Sequence, residues 1–480
     1  MSKVSSSFAG NVLKLVTGSV FAQGLGILVA PIITRLFAPE AFGIAALITS
    51  ITGIIGVVAC LRYESSIMLP KTDQKAASLL GVSLCFVLII TGISALIIFF
   101  AGDFIVQLFN ARELKRYLWL IPIAVFFNGI FLALNYWSSR TKHFSRLSIA
   151  RVVSSITTHC SKLGAGFAGF VSGGVLIGTS ILGQIVCTSI LSRQVWKENV
   201  HLFEENFRWK KMIAGLKRHK RFPIYSAWTS LLNNASAQLP VLILAFYFSP
   251  EVVGFYALGR RVLSMPMTLV GGAVAQPFFQ KASEVHSHNG NLSQLVEAIF
   301  KRLVSLGIFP ILMLTLIGEE FFVVVFGTRW TEAGIYMQIL GLWIFFQFIS
   351  SPITKLFSVL ERQSEGLLFN FILFITRVSS LIIGGMYGNV RFTLFLFMIT
   401  GVAWYSFQIC WLISKAGLPV VRALHHTLKY TLYISPMLII IGLGKWLTGL
   451  QETGILLLCS CCAVIYYTLV ISQDEQLRKP

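Results

Sequence analysis

Fourteen runs of about 20 mostly apolar residues, set apart by short polar breaks, constrain this 480-residue chain more than any motif in it. They fall at roughly 15–36, 40–61, 77–101, 117–138, 150–170, 173–192, 223–248, 252–278, 303–326, 334–356, 367–387, 392–413, 430–447 and 454–472. A run of that length crosses hydrocarbon as a helix, because lipid offers no partner to an unpaired backbone N–H or C=O. The expected fold is therefore all-α and integral to the membrane, with about 14 transmembrane helices. Charge agrees: 12% of residues are charged, against about 25% in a soluble domain, too few to cover a water-facing surface. A full-length span follows residues 1–10 directly, so no cleavable signal is expected.

A formal charge of +20 would suggest nucleic acid in a soluble protein. Here the basic residues crowd the breaks between spans, so membrane lipids are the expected partner and nucleic acid is not. With the N-terminus cytoplasmic, 28 of the 39 Lys and Arg fall on the inside and 7 outside. The remaining four, Lys162, Arg260, Arg261 and Arg377, lie well inside spans rather than at their ends. That bias puts both termini in the cytoplasm. The longest inside segment, 193–222, mixes Trp196, Phe203, Trp209 and Ile213 with nine Lys and Arg. It suits either an amphipathic helix on the inner leaflet or a solvated linker.

The chain also repeats itself. Phe37-Ala-Pro-Glu-Ala-Phe-Gly-Ile-Ala-Ala-Leu47 matches Phe248-Ser-Pro-Glu-Val-Val-Gly-Phe-Tyr-Ala-Leu258 at six of eleven positions, offset by 211 residues. Tyr117–Ile130 echoes Tyr336–Ile349 at an offset of 219. Both pairs lie six spans apart, so the two halves share one orientation, as in transporters built on parallel repeats. The expected organisation is a six-helix lobe at 1–192, a basic linker at 193–222, a second six-helix lobe at 223–413 and two further helices in 414–480.

Four stretches resemble the bacterial polysaccharide flippases of the Wzx type, whose superfamily also holds multidrug extruders and the lipid II flippase. They are Thr34-Arg-Leu-Phe-Ala-Pro-Glu-Ala-Phe-Gly43, Leu61-Arg-Tyr-Glu-Ser-Ser-Ile-Met-Leu-Pro70, Gln276-Pro-Phe-Phe-Gln-Lys-Ala-Ser283, and Phe326-Gly-Thr-Arg-Trp-Thr-Glu-Ala-Gly334 running into Ser350-Ser-Pro352. The resemblance implies a two-lobed alternating-access fold in the bacterial inner membrane. It implies as substrate an oligosaccharide repeat unit on an undecaprenyl pyrophosphate carrier, moved from the cytoplasmic to the periplasmic leaflet. A polysaccharide polymerase and chain-length proteins are potential neighbours.

An intramembrane charge costs at least about 2.5–3.5 kcal/mol at mid-bilayer, which makes such residues functional candidates. A pyrophosphate crossing the membrane needs cations, and Arg grips phosphate oxygens in a bidentate way. Arg260 and Arg261 sit about a third of the way down span eight; neighbours on a helix diverge by about 100°, so only one can face a central cavity squarely. Lys162 in span five and Arg377 in span eleven are six helices apart and suit either anion attraction or interhelical polarity. Arg62 and Glu64, at the inner end of span two, suit a cytoplasmic gate or, for the arginine, reaching to the headgroups. Gln23, Asn234 and Gln238, on the first helix of each lobe, suit sugar contacts or interhelical hydrogen bonds. Glu319 and Glu320 are candidates for ion coupling.

No P-loop of the form G-x-x-x-x-G-K-[ST] is present, and no enzymatic activity, cofactor or metal is expected. The eight cysteines all lie in apolar stretches and read as small packing residues. Four intramembrane cations without a clear carboxylate argue for an anionic substrate. A lipid II-type flippase and a cation-coupled drug extruder of the same fold are the alternatives, and a membrane polysaccharide polymerase a more distant one.

Overall fold

The computed structural model describes residues 2–109, 111–265, 267, 272–288, 290–447 and 451–473. Among them the chain forms nineteen α-helices and no strand. In the first half these are α1 (Ser2–Leu36), α2 (Pro39–Gly56), α3 (Tyr63–Ser66), α4 (Asp73–Leu108), α5 (Leu120–Arg140), α6 (Phe144–Phe167), α7 (Gly173–Asn206), α8 (Trp209–Arg218) and α9 (Ala227–Tyr247). In the second half they are α10 (Pro250–Leu263), α11 (Gly272–Ser287), α12 (Leu292–Leu316), α13 (Gly318–Phe326), α14 (Thr331–Ile353), α15 (Leu356–Val359), α16 (Gln363–Met386), α17 (Val390–Lys415), α18 (Val420–Leu447) and α19 (Glu452–Gln473). Met265-Pro266-Met267 and Gly271-Gly272, which follow Arg261 in the sequence, suit a bend in span eight, but Pro266 and Gly271 lie outside the described residues.

Eleven of these segments are long and apolar enough to cross a membrane by length and composition. The expected spans that fall short are α6, α9 and α10. Helices α6 and α9 carry Lys162, Asn234 and Gln238, polar candidates that lower their hydropathy, whereas α10, with Arg260 and Arg261, has 14 residues and falls short by length. The long helices also carry large apolar side chains outward: Leu88, Phe99, Phe100 and Phe104 on α4, and Leu424, Leu428, Leu432 and Ile439 on α18, are all exposed. In water such surfaces would associate, whereas in lipid they are the solvated faces.

The repeat is written into the element boundaries. At the 211 offset, α1 and α9 end together and α2 and α10 begin together, each on its proline. At the 219 offset, α4 pairs with α12 and α6 with α16 at their first residues. The turns match as well. Lys142 and Glu361 both take left-handed backbone (φ 60 and 56), and so do Gly169 and Gly388 (φ 86 and 70). The eight-residue difference in offset is an insertion between Pro250 and Leu292.

By contacts the chain divides into two units, Met1–Gly254 and Phe255–Pro480. In the first, α1 packs on α6, α6 on α7, and α5 on both α4 and α7. One core there is built on Trp137, Phe203, Leu80, Leu191 and Met212, with Trp137 and Phe203 edge to face at 5.2 Å. In the second unit α14 is the central post, packed on α12, α13 and α17, with Trp330, Trp343 and Phe348 fully buried.

The last two helices are fastened to α12 and α13 by polar contacts. Tyr466 and Tyr467 donate to the carbonyls of Ser305 and Leu306, at 2.8 and 3.1 Å. Lys445 pairs with Glu320 at 2.7 Å, so Glu320 has a structural partner. Both side chains are largely buried. Lys445→Met is expected to cost about 3 kcal/mol, because it leaves a buried carboxylate unpaired. Thermal unfolding in detergent checks this: Tm falls in the single variant, and adding Glu320→Met recovers most of the loss.

Candidate functional site

The clearest constellation lies in the second unit, around the indole of Trp343 on α14. Gly259 lets α10 approach α14 closely, since a Cβ there would stand 2.8 Å from the carbonyl oxygen of Ala333. That approach brings Arg260 over the Trp343 ring at 6.0 Å and over Tyr256 at 6.0 Å. Arg377 on α16 reaches the same indole at 5.7 Å and the Tyr405 ring of α17 at 5.7 Å. Its Nη2 donates to the Tyr405 hydroxyl at 2.7 Å, and Gln347 Nε2 donates to that oxygen at 3.2 Å. Two cations from different helices thus converge on one aromatic ring. Aromatic faces hold guanidinium groups without neutralising them.

Arg377 is buried and, among the described residues, pairs with no carboxylate; its Nε makes no hydrogen bond. Uncompensated buried charge is costly, and an anion that approaches would relieve it. Arg261 points elsewhere: it is exposed and has no hydrogen-bond or ion-pair partner among the described residues. The two neighbouring arginines therefore face in different directions, one onto an aromatic shelf and one open.

In the first unit, Lys162 is half-buried on α6 and Gln23 is exposed on α1. These two helices are the most extensively packed pair in the unit. Between them the structure adds a residue that the charge count assigns to an inside break. Arg151 lies inside α6, with Nη1 donating to Ser19 Oγ on α1 and Nη2 to Asn135 Oδ1 on α5, both at 3.3 Å. The signal was present in the spacing: Arg151, Ser155, Thr158 and Lys162 recur at helical intervals and mark one polar stripe. Trp343 and Tyr405 carry no such signal, because an aromatic in an apolar run reads as packing; Gln347 is a polar residue in an apolar run, the same kind of signal as Gln238.

Asn234 and Gln238 meet α2. Asn234 Nδ2 donates to the carbonyl of Gly53 at 3.3 Å, and Ser50 Oγ donates to Gln238 Oε1 at 3.1 Å. Of the two expected uses, interhelical hydrogen bonding is the one present in this conformation. Beyond them, the two copies of the Pro-Glu-x-x-Gly motif touch each other. A Cβ on Gly43 would collide with the carbonyl of Pro250 and lie 3.1 Å from the Gly254 nitrogen. A Cβ on Gly254 would collide with the carbonyl of Pro39 and lie 3.1 Å from the Gly43 nitrogen. The contact is reciprocal, so the motif's glycines are explained by close passage of two backbones.

Arg62 and Glu64 follow the end of α2. Leu61 and Arg62 are both left-handed (φ 47 and 64), an uncommon conformation for residues with side chains. The turn delivers Glu64, fully buried, to Arg62 at 3.2 Å. Burial raises the Glu64 carboxyl above its ordinary value of 4.5, with Arg62 pulling the other way. A raised carboxyl favours folding in its protonated form. That contribution is complete below about 4.5 and lost as pH climbs through the raised value. Glu64→Gln should remove this slope, so the variant's Tm gains on wild type between acidic and neutral pH. Parallel pH profiles for the two proteins would contradict this.

A family model described as "Polysaccharide biosynthesis protein" matches residues 32–335. Among curated proteins, the lipopolysaccharide biosynthesis protein WzxC of Escherichia coli (strain K12) is 23% identical over 227 residues, 45% of this chain and 44% of that protein. The match thus spans under half the length of that relative. Among solved structures, the lipid II flippase MurJ in an inward closed conformation superposes with a TM-score of 0.76, covering 96% of this chain and 99% of that one at 14% identity. An inward-facing multidrug resistance MATE family transporter of the MOP superfamily gives 0.68 at 14% identity, covering 82% and 94%. At such identities the likeness establishes the fold alone.

Proposed function

The chain belongs to the polysaccharide biosynthesis protein family, and from that premise we propose that it flips undecaprenyl-pyrophosphate-linked oligosaccharide repeat units from the cytoplasmic to the periplasmic leaflet of a bacterial inner membrane. The observation that carries this reading is the pair of guanidinium groups on Trp343, one of them buried without a carboxylate. Such a site favours an anion, and pyrophosphate is the part of this substrate that hydrocarbon rejects most strongly. Sugars would follow the headgroup through a polar path while the prenyl chain stays in lipid.

Orientation and mechanism belong to the same proposal. The bias of Lys and Arg supports two cytoplasmic termini. The matched helix boundaries support two repeat-based lobes, 1–192 and 223–413, that rock about a central path, with 414–480 appended to the second. The Gly43–Gly254 contact and the α2–α9 hydrogen bonds would then close the periplasmic side in this conformation. Arg261 and Lys162 would offer additional positive charge along the path, and Arg62 with Glu64 would flank its cytoplasmic mouth.

Deletion and complementation test the proposal. Loss of the chain should abolish surface polymer while lipid-linked repeat units accumulate, and wild type should reverse both. Unchanged polymer together with rising accumulation of a cationic dye would instead favour a drug extruder, the reading that the MATE-like fold keeps in view.

A further inference from the structure

We propose that the end of α7 and the short helix α8 form a binding surface for anionic phospholipid headgroups, separate from the transport path. Helix α7 breaks at Asn199 (φ −122, ψ 16), and its unbroken part, residues 173–198, is about 39 Å long at 1.5 Å per residue, against a hydrocarbon core of about 30 Å. The last turns before that break therefore stand at headgroup depth, beyond the expected span end at residue 192. There an open cleft of about 550 Å³ is lined by Ser192, Arg193, Trp196 and Lys197. Trp196 is 51% exposed, and Arg193 and Lys197 are exposed beside it. The nearby Glu198 is taken by Arg146, so among the described residues neither cleft cation has a carboxylate partner.

Helix α8 extends the same surface. Met212 is buried against α4 near Gly81, Gly215 passes Leu79, and Tyr63 donates to the Leu216 carbonyl at 3.2 Å. Lys211 ties it to the end of α7 through Asn206 Oδ1 at 2.8 Å. So fixed, α8 leaves Trp209 (71% exposed) and Ile213 uncovered beside Lys210, Lys217 and Arg218. Aromatic rings next to cations suit an interface whose interior is apolar and whose surface is negative. A solvated protein partner would not call for two exposed tryptophans at this depth. A zwitterionic leaflet would leave the cations unmatched.

Purified full-length protein is titrated with phosphatidylglycerol, phosphatidylcholine or inorganic phosphate while Tm is followed. Phosphatidylglycerol should raise Tm saturably, and the other two should not. Arg193→Gln/Lys197→Gln should keep the Tm measured without lipid, since both residues are exposed. It should weaken the apparent affinity for phosphatidylglycerol on the order of tenfold, as expected for two cations at a charged surface. An unchanged phosphatidylglycerol response in the variant overturns the proposal. An equal shift with phosphatidylcholine, or with inorganic phosphate, overturns it too. Transport is not read in this experiment, so its failure leaves the flippase proposal standing.

Discussion

Cells whose only copy carries Arg260→Ala and Arg377→Ala should make no surface polymer and should accumulate lipid-linked repeat units, with the protein at normal levels in the membrane. The reasoning is electrostatic. Each guanidinium can give charge-assisted hydrogen bonds worth about 1.5–3 kcal/mol to a phosphate. Losing one arginine should therefore lower transport by roughly 10- to 100-fold, and losing both should bring it to background. Arg377→Lys should rescue only in part. An ammonium keeps the charge but lacks the planar fork that lies across Trp343 and reaches Tyr405. Tm separates binding from folding: Arg377→Lys should stay close to wild type while transport drops. Full transport by the double alanine variant would remove this cluster from the substrate's path.

The second large effect is steric. Gly43→Leu or Gly254→Leu should abolish transport, because either side chain has nowhere to go. The atoms it would meet are backbone carbonyls of Pro250 or Pro39, which cannot swing aside as a side chain can. The two motif copies would be forced apart, and the conformation in which they touch would be lost. If that contact closes the periplasmic side, both variants should hold the protein open there. A cysteine placed nearby should then label more readily from outside. Normal transport by Gly43→Leu would show that the close passage is dispensable.

Much of this architecture was legible because lipid imposes simple rules. Apolar run length gave the spans, and the repeated Pro-Glu-x-x-Gly fixed the correspondence between halves that the helix boundaries then reproduced. What hydropathy misplaced were ends. The second span was expected to reach residue 61, yet α2 stops at Gly56 and the chain turns through left-handed Leu61 and Arg62. Non-glycine residues give no sequence sign of that conformation. The sixth span is expected to end at 192, yet helix continues past it, breaks at Asn199 and resumes to Asn206, because backbone hydrogen bonding does not stop where the apolar stretch does.

The candidate residues were legible one by one and not as a set. Arg260 and Arg377 stood out as cations in apolar runs, but their meeting depends on the tertiary position of Trp343. Arg151 was hidden by its nearness to a basic break. The glycines at 43 and 254 were visible in the motif, while their purpose required seeing the two copies touch. As amides in apolar runs, Asn234 and Gln238 suit either sugars or helices, and here they bind α2.

The most direct test of the central claim is sidedness. In spheroplasts, the fraction of lipid-linked oligosaccharide open to a non-permeant sugar-modifying reagent is measured with the wild-type chain, without it, and with Arg260→Ala/Arg377→Ala. Substantial modification is expected with wild type, and protection in the other two while the total pool rises. Equal modification in all three would mean that the repeat unit crosses the membrane without this protein.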